Sequence, residues 1–278
     1  TEAPTAGSVI LAGLMLKLGT YGFLRFVLPL FPHQSVQYGW ILLTLAVVGI
    51  IYGAIVAAMQ PDLKRLIAYS SIAHLGFVIL GIFALNVIGI EGAVFTMVSH
   101  GLTTGALFLL VGMLYDRRHT RLIAAFRGIW KATPILGGMF VIAMFASIGL
   151  PGFSGFVGEF LALLGTFLVH RPYAIVSAIG VILAALYLLW AFQRAFTGVP
   201  DEETAKMPEI NGRELACVVP LLLLSFVFGV YPKPILDRVQ PAAACVVRHV
   251  EVNTTYTEPK GSAVKTPKDC PLKAEVTR

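Results

Sequence analysis

The sequence predicts an all-α polytopic membrane protein with about seven transmembrane helices, one of them discontinuous. Three observations carry this. Of 278 residues, 57% are apolar and only 13% are Asp, Glu, Lys or Arg, against about a quarter charged in a typical soluble domain. Mean hydropathy is +0.81. The apolar runs are long and unalternating, whereas barrel strands would alternate over about ten residues. Together these exclude a soluble globular enzyme, a disordered chain and a disulfide scaffold. The net charge of +6 is no nucleic-acid signal, because the basic residues sit in loops and in the tail without interleaved aromatics. Cys217, Cys245 and Cys270 lack metal-ligand spacing, so no metal site is expected.

Seven spans are expected, over residues 6–30, 36–59, 66–86, 89–115, 134–169, 172–196 and 214–231. The fifth would be about 54 Å long if unbroken, well beyond a bilayer core of about 30 Å. Its middle reads Gly149-Leu150-Pro151-Gly152-Phe153-Ser154-Gly155. Proline removes a backbone donor and glycine tolerates unusual dihedrals. Two half-helices with a break near 150–155 are therefore expected, with the break inside protein or beside water. Small residues predict close helix packing: Gly7, Gly13, Gly19 and Gly22 on the first span, and Gly101, Gly105 and Gly112 on the fourth.

Lysines and arginines set the expected orientation. Loops holding Lys64, Arg65, Arg117, Arg118, Arg121, Arg127, Lys131, Arg194, Lys206 and Arg213 share one face. The positive-inside rule makes that face the cytoplasmic or matrix side. The tail, residues 233–278, is basic, shows no clear period and is expected to be poorly ordered.

Two charged side chains stand inside spans, away from helix ends: Lys17 and Glu159. Each costs several kcal/mol at the bilayer centre unless paired or hydrated, so intramembrane ionisable groups point to function. A structural ion pair is the plainer explanation. His74 lies within the third span, one turn after Ser70, and His100 within the fourth, one turn before Thr103 and Thr104. An imidazole can take a proton on one nitrogen and release it from the other. Singly, each histidine reads equally well as an interhelical hydrogen-bonding residue. Four titratable groups on four spans, beside a broken helix, read better as a proton relay.

Several stretches resemble the antiporter-like subunits of respiratory complex I, the proton-pumping NADH:quinone oxidoreductase. Thr1-Glu2-Ala3-Pro4-Thr5-Ala6-Gly7-Ser8 and Leu16-Lys17-Leu18-Gly19-Thr20-Tyr21-Gly22 resemble that family's eighth helix. Ala68-Tyr69-Ser70-Ser71-Ile72-Ala73-His74 and Ser99-His100-Gly101 match it further on. Leu150-Pro151-Gly152-Phe153-Ser154-Gly155-Phe156-Val157-Gly158-Glu159-Phe160 resembles its broken twelfth helix. Glu159 points to the M branch (subunit 4 in mitochondria), because the sister branches L and N usually carry lysine there. The resemblance covers about residues 1–240.

The resemblance implies the second inverted repeat of a fourteen-helix antiporter-like fold. Residues 1–35 would be the central lysine-bearing eighth helix, 36–198 the five-helix repeat (helices nine to thirteen), and 199–232 a loop with the fourteenth. It also implies a translocase subunit in the membrane arm. Lys17 would be the central relay, His74 and His100 would carry protons onward, and Glu159 would hand them to the outer side. No cofactor would bind this chain; NADH, FMN, iron–sulfur clusters and quinone would sit on other subunits. Implied partners are the sister subunits L and N, the N-terminal half that bears the first repeat, and the lipid bilayer. The membrane would be the bacterial cytoplasmic membrane or, alternatively, the mitochondrial inner membrane. A second reading is a sodium or potassium/proton antiporter subunit of the multisubunit type, which shares the fold. A third is a scaffold in which Lys17 and Glu159 pair structurally.

Overall fold

Long apolar stretches with few breakers give long helices, and the computed structural model describes them over residues 3–259, 261 and 270. Among the described residues, six helices are long and apolar enough to cross a membrane: α1 (Thr5–Leu30), α2 (Pro32–Ala58), α3 (Leu63–Phe83), α4 (Val87–Arg118), α7 (Arg171–Phe196) and α8 (Gly212–Val230). Two shorter apolar helices, α5 (Pro134–Ile148) and α6 (Ser154–Val169), lie between α4 and α7. They are the halves of the expected broken span. At about 1.5 Å per residue neither half alone crosses the hydrocarbon. The break runs over residues 149–153, where Gly149 ends α5 with a left-handed φ of 81° and Gly152 has a φ of 102°.

Helix boundaries follow capping chemistry. Asp62 caps α3, its carboxylate accepting from the amides of Lys64 (2.7 Å) and Arg65 (3.1 Å), so the helix starts earlier than hydropathy suggested. Asn86 caps α4 through the Gly89 amide. Asn211 and Glu214 close a reciprocal capping box on α8. Prolines open α2 and α5, where a missing amide hydrogen costs nothing.

The helices α3 and α4 form the buried centre, with α2, α6, α7 and α8 packed around them. Apolar side chains gather in two cores. One surrounds Leu63, Phe126, Phe140 and Phe196, and the other surrounds Leu43, Ile50, Phe77 and Phe83. Outward faces of α1, α2, α7 and α8 expose large apolar residues such as Leu14, Leu45, Ile182 and Leu223, as lipid-facing surfaces do.

The basic loops share one end of the bundle, as the sequence predicts. Arg117 forks onto the Glu214 carboxylate at 2.8 and 2.7 Å. Arg118 bridges Asp201 and Glu203. Glu209 accepts from the first-turn amides of α5, Ile135 (2.9 Å) and Leu136 (3.0 Å), a favourable place for an anion.

Two expectations need correction. The tail from 233 was read as poorly ordered, yet Lys233–Asn253 forms a helix, α9. Its apolar positions Val239, Ala243, Val246, Val247 and Val250 recur at helical spacing, a stripe obscured by Pro241 and the surrounding charges. Ala243, Ala244, Val247 and Val250 are buried, and Cys245 is joined to Cys270 by a disulfide. The helix packs across the other end of the bundle, where His249 meets the Pro29 carbonyl at 3.0 Å. Beyond α9 the structure describes residues 254–259, 261 and 270, and the other tail residues lie outside it. The glycines also divide. Gly13 and Gly101 lie backbone to backbone, and Gly112 packs on Thr5, but Gly19 and Gly22 face open space.

The helices α4 and α6 pack closely through small residues. A methyl at Gly89, Gly92, Gly158 or Gly165 would strike backbone or side-chain atoms at once. The facing pairs are Gly89 with Gly165, Gly92 with Ala162, and Thr96 with Gly158, one antiparallel stripe. Overpacking such a seam costs about 1–3 kcal/mol. A Gly92→Ala variant is expected to lower the unfolding temperature of the purified protein in detergent. Gly49→Ala, where the added methyl meets open space, is expected to be neutral or mildly stabilising. Equal behaviour of the two variants would contradict this packing.

Candidate functional site

Four helices bring Lys17, His74, His100 and Glu159 to one place between the two apolar cores. Close approach of α1 and α4 at Gly13 and Gly101 sets the first junction. One turn beyond Gly13, the half-buried Lys17 ammonium contacts His100 Nδ1 at 2.6 Å. Lys17 Nζ also donates to the Ala12 carbonyl. Ala12 lies in a widened, π-type stretch of α1, Leu11–Met15. Such turns are rare and frequently mark functional positions.

The second junction is His74 Nδ1 to Glu159 Oε1, at 2.6 Å between buried side chains. His74 comes from α3 and Glu159 from the second turn of α6. The imidazoles of His74 and His100 lie between these junctions, with ring centroids 5.5 Å apart and planes inclined at 58°. The series therefore runs Lys17, His100, His74, Glu159. Lys17 and Glu159 do not pair directly; each holds a histidine instead.

Donor and acceptor requirements fix the tautomers in one charge state. An ammonium at Lys17 can only donate, so His100 Nδ1 accepts and its proton sits on Nε2. A carboxylate at Glu159 can only accept, so His74 Nδ1 carries the proton and Nε2 is bare. Those two Nε2 atoms are buried and have no hydrogen-bond partner among the described residues. One is then a donor and the other an acceptor. Glu159 Oε2 is likewise without a partner and points to the break, 3.2 Å from where a side-chain carbon on Gly149 would stand.

Ser70 and Ser71 return their hydroxyls to the Ile67 carbonyl rather than to His74. Thr103 and Thr104 are buried beside His100 on α4. Two residues escaped the sequence reading. Tyr187 of α7 is fully buried, and its hydroxyl has no hydrogen-bond partner among the described residues. The signal was a phenol amid an apolar span, which usually needs a polar neighbour when buried. Glu91, near the start of α4, is buried with Oε1 unpartnered among the described residues. Gln240 of α9 lies near its carboxyl. It was passed over because it stands close to a predicted helix end.

Comparison with known proteins gives the family and the fold. The chain is 46% identical over 256 residues to NADH-quinone oxidoreductase subunit M of Rhodobacter capsulatus, covering 91% of this chain and 50% of that protein. It is 48% identical over 237 residues to the subunit M of Rickettsia prowazekii, covering 85% and 48%. It thus spans about half the length of the curated relatives it matches. A chain of respiratory complex I from Thermus thermophilus with bound NADH superposes with a TM-score of 0.81 at 34% identity, covering 85% of this chain and 50% of that one. A chain of the Mrp complex from Dietzia sp. DQ12-45-1b shares the fold, with a TM-score of 0.80 at 20% identity over 88% of this chain and 55% of that one. The family described as NADH:quinone oxidoreductase/Mrp antiporter, transmembrane, matches residues 1–186, two-thirds of the sequence, and the chain belongs to it.

Proposed function

We propose that this chain is part of the proton-translocating membrane arm of an NADH:quinone oxidoreductase, and that Lys17, His100, His74 and Glu159 conduct the proton. The observation that carries the reading is the series across four helices, a 2.6 Å contact at each end and two neighbouring imidazoles between, with ring centroids 5.5 Å apart. Redox chemistry belongs to other subunits, which hold NADH, FMN, the iron–sulfur clusters and quinone. The sister subunits L and N and the half bearing the first repeat are the proposed neighbours. The basic loops face the cytoplasm or matrix.

The tautomers define a transfer that balances. Lys17 gives a proton to His100 Nδ1. His100 releases its Nε2 proton to His74 Nε2. His74 releases its Nδ1 proton to Glu159. One proton enters at the lysine and one reaches the carboxyl, while each imidazole ends in its other tautomer. A charge change in a neighbouring subunit would bias this sequence electrostatically, because unscreened interactions reach far in a low dielectric. Glu159, beside the non-helical turn, hands the proton toward the outer side. Unpaired backbone groups at such a turn can hold water.

In the whole complex, Lys17→Met and Glu159→Gln are each expected to lower proton pumping at least tenfold while the complex still assembles. NADH-driven acidification of membrane vesicles, with a native gel stained for NADH dehydrogenase activity, checks this. Pumping at the wild-type ratio of protons to electrons would overturn the relay. Transport that vanishes without sodium or potassium would establish the multisubunit antiporter reading instead.

His74 should also carry stability. Removing the partner of a buried carboxylate leaves that charge unpaired, at a cost of about 3–5 kcal/mol. His74→Phe is expected to lower the unfolding temperature sharply, and His74→Phe with Glu159→Leu to recover much of it. Additive losses in the double variant would show that the two side chains do not depend on each other.

A further inference from the structure

The stripe that joins α4 to α6 ends in a cluster of hydroxyls the relay does not use. Ser99 Oγ of α4 lies 2.8 Å from Ser154 Oγ, and Ser154 Oγ lies 2.8 Å from Ser225 Oγ of α8. All three residues are buried, with at most 2% of their surface exposed. Serine and threonine in helices ordinarily return the hydroxyl to a carbonyl three or four residues back. Ser70, Ser71, Thr96 and Thr166 do so here. The three clustered serines bond to one another instead and tie three helices together.

Their position gives the tie a purpose. Ser154 is the first residue of α6, directly after the break. A helix start leaves backbone amides unsatisfied and tends to fray. Phe153 occupies the cap position and supplies no side-chain hydrogen bond, so this end of α6 is held from outside. One turn beyond Ser225 on the same face of α8, Gly229 presses on Gly152 and Phe153 with no room for a methyl group. Phe226 meets the Phe153 ring edge to face, with centroids 5.9 Å apart. The last span therefore bears directly on the break. Glu159 follows Ser154 by five residues, in the next turn. Its 2.6 Å bond to His74 would not survive a displacement of about 1 Å.

We propose that Ser99, Ser154 and Ser225 form a clamp that positions the second half-helix, and through it the Glu159 carboxyl, against His74. They are positioning residues, and α8 is thereby a working part of the site. The inference rests on the relay reading only for its effect on transport; its effect on Glu159 is independent.

The test uses the whole complex in native membranes, with Ser154→Ala and Ser225→Ala. Each removes a hydroxyl with little change of volume. Gly229→Ala is the second kind of variant, pushing α8 off the break with all hydroxyls present. The first readout is the infrared signature of the Glu159 side chain, assigned as the bands lost in Glu159→Gln. The second is the ratio of protons pumped to electrons transferred across pH 6–9. The expected result is a shifted Glu159 signature in all three variants, with the ratio lowered two- to tenfold and its pH profile displaced, while assembly and NADH oxidation persist. An unmoved signature in both serine variants would overturn the clamp. A shifted signature alongside normal pumping by Glu159→Gln would uphold the clamp and overturn the relay.

Discussion

An ionisable side chain buried among apolar helices must find another polar group, and no single partner here meets that need for both Lys17 and Glu159. The lysine comes from α1 and the carboxylate from α6, on opposite sides of the central helices. Each is answered by a histidine from the middle, His100 for Lys17 and His74 for Glu159. The same contacts that offset burial also create a path. A direct Lys17–Glu159 pair would have been sufficient for stability and would have had no interior. Splitting the pair around two imidazoles leaves two nitrogens in the middle, one suited to donate and the other to accept.

Such contacts tolerate little play, and the packing around them allows little. Gly89, Gly92, Gly158 and Gly165 bring α4 and α6 to backbone contact over two turns. Where small side chains allow this approach, dispersion contacts hold the helices in register without a hydrophobic driving force from lipid. His100 and Glu159 are thereby fixed by the same seam, on either side of His74. The seam stops at the break, since α6 begins at Ser154, and there hydroxyls take over from glycines. The polar layer is enclosed above and below by the two apolar cores.

Much of this was readable from residue order. The seven spans, the break after Gly149, the common face of the basic loops and the four buried titratable residues follow from hydropathy, length and the rarity of charge in a span. What did not follow was pairing. Nothing in the spacing of His74 and His100 says which one meets Lys17, because that depends on helix rotation and on the contact of Gly13 with Gly101. The serine clamp was invisible for the same reason, since Ser99, Ser154 and Ser225 are far apart in sequence and ordinary in composition. Tyr187 was hidden by its apolar neighbours. The helix α9 was hidden by its prolines and charges, which mask an apolar stripe that becomes evident only when laid against α1 and α4.

The break has a consequence for charge that the relay shares. An unbroken α-helix through this position would pair every backbone group with its own chain and leave Glu159 facing a closed wall. Interrupting it at Gly149 turns the end of α5 and the start of α6 toward the carboxyl, so Oε2 approaches backbone rather than hydrocarbon. The carboxyl then has two distinct sides, with Oε1 bound to His74 and Oε2 turned to the break. A proton arriving from the histidine can leave from the opposite oxygen without the side chain having to let go of its partner. In the proposed relay, that two-sidedness would let Glu159 both receive and release the proton. It depends on the half-helix staying where Ser154 and the last span hold it.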